Sequence, residues 1–467
     1  SPSQAAAEAL AHREVAPPSV VTVPSGREQS RLQSRPPPPS LASTAKRRCV
    51  RLNGLLGGAS CEGLLRLHAQ HGEDFDAINL STCWCRLERG TSEDIAWLQQ
   101  EDGERLLPLR SQTLDVLANW TSDEQTVANI VHAMGRLQLC GSRWAPLWEA
   151  GERAAAVMAG ACTKPQNLAM VAWAFASAGR PAAALFEVLS GAALRIVRAF
   201  DPQSLANMAW ALAHVNQRVP LLLDAFAAEA SSHLSDFGAK YLAMLAWAYA
   251  VLNYPAHDLF DDGRFVRRCS AADVHEPEDL RQLHQWRLWL EERDFGWPSL
   301  EPELASRCRN ALASSEGRPS RMQSDVVSAL RALALSVREE LVTAQGYSLD
   351  AVVTYEDREV AVEVDGPSHF IGRTPTGATQ LKRRQLRSAG WTLIAVPYWE
   401  WEALGSKATR CSTYLLDALE GRSKPELAEK LNGGESDELD ALGATHNPRV
   451  APLEQGEGKG SPADAAG

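Results

Sequence analysis

Three segments of this chain superimpose without a gap: Pro165-Gln-Asn-Leu-Ala-Met-Val-Ala-Trp-Ala-Phe-Ala176, Pro202-Gln-Ser-Leu-Ala-Asn-Met-Ala-Trp-Ala-Leu-Ala213 and Ala239-Lys-Tyr-Leu-Ala-Met-Leu-Ala-Trp-Ala-Tyr-Ala250. Their tryptophans, Trp173, Trp210 and Trp247, stand 37 residues apart in both steps. A fixed period of this size marks a solenoid, because one such unit cannot bury its apolar face alone and must stack on its neighbours. The period differs from the tetratricopeptide and ankyrin periods of about 34 and about 33 residues.

Within each unit the apolar residues recur at helical spacing, as Leu168, Val171, Ala172 and Phe175 do, and alanines fill the other faces. A helix apolar nearly all round has to be sandwiched between other helices. Partner helices are predicted to begin near Pro181 and Pro220, with Asp201 as the N-cap of the helix opening at Pro202. Weaker copies flank the clear ones: Thr126 to Met134, with His132 in the Trp slot, and Asp279 to Trp286. The array is therefore predicted over residues 110–290, with 49–109 as an earlier, eroded unit and 291–320 as a linker.

Beyond the linker the pattern changes. Val327, Leu330, Ala334, Val337 and Leu341 share a helical stripe, which predicts one helix from Ser324 to Leu341. Strands are predicted over Gly346–Thr354, Glu359–Asp365 and Trp391–Val396. A helix around Gln380–Arg387, closed by Gly390, lies between the last two, and a final helix opens at Trp399 and ends near Leu419. In the second strand Val360, Val362 and Val364 point to one face and Ala361, Glu363 and Asp365 to the other, before Gly366-Pro367 stops it. Carboxylates at such a place are costly unless solvated or used.

The bulk composition, 45% apolar and 22% charged, is that of a globular protein, and no run is long and apolar enough for a membrane span. Nine cysteines without a Cys-x-x-Cys pair read as reduced thiols rather than a disulfide framework. The formal net charge of −11 sits poorly with a domain-wide phosphate-binding surface. Residues 1–48 depart from it, with seven basic and three acidic groups amid Ala, Ser and Pro, a composition shared by organelle transit segments and disordered linkers. The tail 420–467, with five basic and ten acidic groups, lacks the apolar content to fold.

The repeats resemble the octotricopeptide-type helical repeats of organellar RNA-binding proteins, which share the length and the Leu-Ala…Ala-Trp-Ala core. The tokens Glu363-Val-Asp-Gly-Pro-Ser-His-Phe370, Leu381-Lys-Arg-Arg-Gln-Leu386 followed by Gly390-Trp391, and Val396-Pro-Tyr398 followed by Trp401 resemble a RAP domain, with its core over 340–402 inside a module spanning 321–419. The chain is thus expected to be multidomain, an α-helical solenoid followed by a small α/β domain similar to the very-short-patch-repair, PD-(D/E)XK nuclease fold. What the resemblance implies is an RNA-binding factor of the mitochondrial matrix or chloroplast stroma, acting in processing, stability or rRNA maturation. Its partners would be organellar mRNA or rRNA and other RNA-processing proteins, with no membrane and no cofactor needed for binding.

Variable polar residues at the start of each first helix, Gln166 and Asn167, Gln203 and Ser204, Lys240 and Tyr241, are candidates for reading bases, against the alternative of ordinary helix ends. The repeated tryptophans read as core, with base stacking as the alternative. Lys382, Arg383, Arg384 and Arg387 are candidate phosphate contacts. The nuclease likeness adds an alternative, a Mg²⁺-dependent endoribonuclease with Asp350, Glu363 and Asp365 as metal ligands and His369 moving a proton. The usual Lys of such sites is replaced by Asp365, and Thr379 stands where an acid is common. The bland reading pairs Asp350 and Glu363 with the basic helix and gives Asp365 and His369 to the turn. A third function class, a protein-docking scaffold, is favoured by the acidic balance.

Overall fold

The computed structural model describes residues 41–119, 123–314, 319–405 and 407–422. The expected transit segment and acidic tail lie almost wholly outside these residues, but the end of the former is ordered, in the helix Leu41–Gly57. No described helix is long and apolar enough to cross a membrane. The described chain forms two compact units, one ending at Ser314 and including Ser368–Gln385, the other made of the remaining residues from 319 onward.

The first unit is a two-row helical array. Its inner row contains α1 (Ala77–Leu87), α2 (Glu124–Arg136), α3 (Pro165–Ser177), α4 (Pro202–His214), α5 (Ala239–Leu252) and α6 (Pro277–Arg293), each packed on the next. Outer helices such as Ala145–Ala161, Ala183–Arg195 and Pro220–Ser232 form the second row. Leu41–Gly57 packs on α1, and Pro302–Ala313 packs on α6. The latter occupies the predicted linker: Leu304, Cys308 and Leu312 recur one turn apart and are buried, so this stretch carries a helical stripe of its own.

The starts of the inner helices are fixed by a local code. A 3-10 turn, Gly72–Asp74, Val197–Ala199 or Leu234–Asp236, leads to a buried phenylalanine (Phe75, Phe200, Phe237) and then to the cap residue Asp76, Asp201 or Gly238. Phenylalanine just before the cap and leucine just inside the helix (Leu80, Leu205, Leu242) have the spacing of a hydrophobic staple. The cap carboxylates close the motif: Asp76 accepts from Asn79 N and Asp201 from Ser204 N at 2.9 Å. In the array Leu168, Val171, Ala172 and Phe175 are buried, as the spacing predicts.

The second unit is a four-stranded sheet, β1 (Val337–Val342), β2 (Ser348–Tyr355), β3 (Arg358–Asp365) and β6 (Thr392–Pro397), in the order β1-β2-β3-β6. The first three are antiparallel and β6 runs parallel to β3. Val360, Val362 and Val364 do share one face, packed with Ala351, Val353 and Val396 against α7 (Arg321–Ala332) and the helix Ala408–Leu419. β1 corrects the predicted Ser324–Leu341 helix. That helix stops at Ala332, Ala334 takes a left-handed φ of 59°, and Val337 and Leu341 belong to an edge strand whose spacing also fits a helix. The predicted final helix is two, Tyr398–Leu404 and Ala408–Leu419, parted at Gly405 with φ 63°. The short β4 (Phe370–Ile371) and β5 (Thr374–Pro375) form a hairpin in the first unit, followed by α8 (Gly377–Ser388).

Candidate nucleic-acid interface

One stripe of each inner helix turns away from the outer row. On α2 it comprises Gln125, Asn129, His132 and Arg136; on α3, Gln166, Met170, Trp173 and Ser177; on α4, Gln203, Asn207, Trp210 and His214; on α5, Lys240, Met244, Trp247 and Val251. From α2 to α4 every one of these side chains is half-buried or exposed, whereas on α5 Met244, Trp247 and Val251 are buried. The stripe is polar at the helix starts, aromatic at mid-helix, and only thinly charged.

The aromatic residues form two stacks. His132 lies against Trp173 with ring centroids 5.1 Å apart, and its Nδ1 is 2.8 Å from Glu88 Oε2. Trp210 stacks on Trp247 at 6.2 Å and on His214 at 4.8 Å. Burial holds the His214 imidazole down at a pKa of about 4, so it is neutral near pH 7. The tryptophans are therefore not uniformly core: Trp247 is, while Trp173 and Trp210 reach solvent.

The predicted base-reading residues divide in the same way. Gln166, Gln203 and Lys240 are exposed, and Tyr241 is half-buried against the core. Asn167 and Ser204 are buried. Ser204 belongs to the cap, its hydroxyl 3.0 Å from Asp201 Oδ2. Asn167 occupies the equivalent position on α3, where the cap residue is Lys164 and no carboxylate is supplied; neither side-chain atom of Asn167 has a hydrogen-bond partner.

Ser368–Gln385 closes the ends of the inner helices. A Cβ on Gly377 would fall 1.9 Å from Ala213 O and 2.5 Å from Val251 Cγ1, so only glycine permits this approach. Asn216 Nδ2 donates to Gln380 Oε1 at 3.0 Å, and Gln385 Nε2 donates to Gln285 O at 2.7 Å. Arg384 donates to Ala250 O at 2.6 Å and to Val251 O at 3.2 Å, capping α5, while its Nε meets Glu292 at 2.8 Å. Its partner is thus Glu292 and the helix end rather than a strand carboxylate. Lys382 and Arg383 are half-buried and Arg387 is exposed. Thr379 is buried, donating to His369 O at 3.2 Å and lying 3.0 Å from Thr376 Oγ1, in the first turn of α8.

Residues 362–417 match the RAP domain family, which is associated with RNA binding. The chain carries a RAP domain. A segment of 64 residues is also 47% identical to a chloroplastic RAP domain-containing protein of Oryza sativa subsp. japonica. That segment is 13% of this chain and 10% of the relative, so the chain spans about a tenth of the length of the curated relative it matches.

In the RAP domain Glu363 and Asp365 are buried on β3, and His369 is half-buried in the turn that follows. Asp350, on β2, accepts from the Val364 amide through Oδ2 at 2.6 Å, taking the donor next beyond the regular Ala351–Val362 pairing. Among the described residues no three His, Cys, Asp or Glu side chains converge to hold a metal ion. Asp350, Glu363 and Asp365 therefore share a sheet without forming a cation cage. The nine cysteines are all free thiols, and burial raises Cys83 to about 12, which keeps it an unreactive thiol.

Sequence reasoning missed Asn129, Asn207 and His214 as members of the open face. The available signal was their spacing from the Trp slot, one turn before or after it on the same stripe.

Proposed function

We propose that this chain is an RNA-binding factor of the chloroplast stroma that acts on organellar mRNA or rRNA, in its processing, stability or maturation. The observation that carries this reading is the pairing of a RAP domain with a helical array whose open face offers stacked aromatic rings and a row of amide side chains. Bases stack on any aromatic face, and amides supply both donor and acceptor, which suits single strands better than duplexes. The thin charge of the face, in a chain of net −11, argues for contacts to bases rather than a general grip on phosphate. The RAP domain adds the cations, Lys382, Arg383 and Arg387. The chloroplastic name of the rice relative supports the compartment.

The test is the affinity of the purified chain for single-stranded RNA across a salt series. Alanine at Lys382, Arg383 and Arg387 is expected to weaken binding and lower the salt slope, since each lost phosphate contact removes about one unit of it. If the wild-type chain retains no RNA even in dilute buffer, the reading fails.

A further inference from the structure

The two aromatic stacks on the open face do not touch. Trp173 is backed by His132 and Trp210 by Trp247 and His214, yet no ring contact joins Trp173 to Trp210, although their helices are adjacent. Both indoles are half-exposed, so each keeps ring surface open to solvent. One turn earlier on the same stripe stand Met170 on α3 and Asn207 on α4, also half-buried. The Asn207 amide makes no hydrogen bond, whereas Asn129, in the matching slot of α2, donates to Ser81 Oγ at 3.0 Å and accepts from Gln125 at 2.9 Å.

From this arrangement we infer that a single unstacked nucleobase of RNA seats between Trp173 and Trp210, with the Asn207 amide meeting its hydrogen-bonding edge. The inference rests on the RNA-binding reading above and adds a site to it. Adjacent packed helices lie about 8–10 Å apart, and stacked rings stand about 4.5–7 Å centroid to centroid. Two half-buried indoles on adjacent helices that make no ring contact with each other can flank one flat ring at such a spacing. Each indole already packs on an aromatic neighbour, which restrains its plane and lowers the entropic cost of ordering it on binding. An asparagine amide carries a donor and an acceptor side by side, the pattern that distinguishes one base edge from another.

The test uses the full chain with two fluorescent probes, a short oligouridylate and the same backbone with abasic sugars. The wild type is expected to prefer the base-bearing strand by about tenfold or more. Trp173→Leu and Trp210→Leu should each lose that preference and leave the abasic strand's affinity and its salt slope unchanged. Asn207→Ala, on a half-exposed position, should keep the stacking and flatten the ranking among homopolymers. Iodouridine-substituted RNA photocrosslinked to the wild-type chain gives a readout independent of any variant's folding, with adducts expected on α3 or α4. Equal affinity for both strands, or adducts confined to other segments, would overturn the seat while RNA binding stands. A wild type that binds neither strand would overturn both.

Discussion

Arg384 and Glu292 form a charge pair at 2.8 Å that holds α8 to the end of α6, and the same guanidinium caps the last carbonyls of α5. The pair is mostly sheltered, with side-chain exposures of 26% and 11%. Arg384→Ala should destabilise the fold by about 2–3 kcal/mol, below the value for a fully buried pair because some solvent screening remains. Lysine should recover less than half, since it offers no planar fork to two carbonyls and a carboxylate together. Denaturant unfolding of Arg384→Ala, Glu292→Gln and the double variant measures the coupling. If Arg384→Ala leaves the midpoint unchanged, the clamp has no structural weight.

This placement marks what the sequence made legible. The period of 37, the helical spacing inside each repeat and the Val360–Val364 alternation are contacts between near neighbours, and the fold follows them. Arg384 looked like its neighbours Lys382 and Arg383 because a run of cations does not say which member faces a helix end far away in sequence. Asn167 and Ser204 varied between repeats as readers of bases would, but cap positions vary too. β1 hid because Val337 and Leu341, four residues apart, suit one helical turn as well as two strand repeats.

The cap positions yield a prediction of gain. α1 and α4 begin with an aspartate whose carboxylate serves the residue three further on, whereas α3 begins with Lys164 and leaves the Asn167 amide buried without a partner. Lys164→Asp should stabilise the array by about 1 kcal/mol, combining a restored cap with a negative charge at a helix start. Asp201→Ala should cost about 1–2 kcal/mol. Thermal melts of both variants, with opposite shifts, check this. A Lys164→Asp chain that melts earlier would refute it.

Acid sensitivity follows from His214. Its folded pKa of about 4 lies below the unfolded value of about 6.5, so the unfolded chain binds the proton more readily. The stabilisation is complete above about pH 6.5 and is lost as pH falls toward 4. At pH 5 the loss is about 2 kcal/mol relative to pH 7. His214→Phe keeps a ring against Trp210 and removes the proton site, so the stability of the wild type relative to the variant should fall by that amount from pH 7 to pH 5. A constant difference would show that His214 is not held neutral.

The carboxylates of β2 and β3 separate a structural role from a catalytic one. Asp350 Oδ2 takes the Val364 amide at 2.6 Å, just beyond the end of the regular β2–β3 pairing, so its first effect is on the sheet. Asp350→Ala leaves that amide without its acceptor and should cost about 2 kcal/mol; Asp350→Asn keeps an acceptor oxygen, loses the charge assistance and should cost about half as much. A nuclease of this fold class needs carboxylates gathered on one cation, and the described residues gather no such group of three. Glu363→Gln, at a buried strand position, is expected to change stability, whereas a nuclease role would show as Mg²⁺-dependent cleavage of RNA by the wild type. Divalent-dependent cleavage by the wild type that vanishes in a folded Glu363→Gln chain would reverse the assignment, because it would require Glu363 to act on the RNA rather than on the sheet.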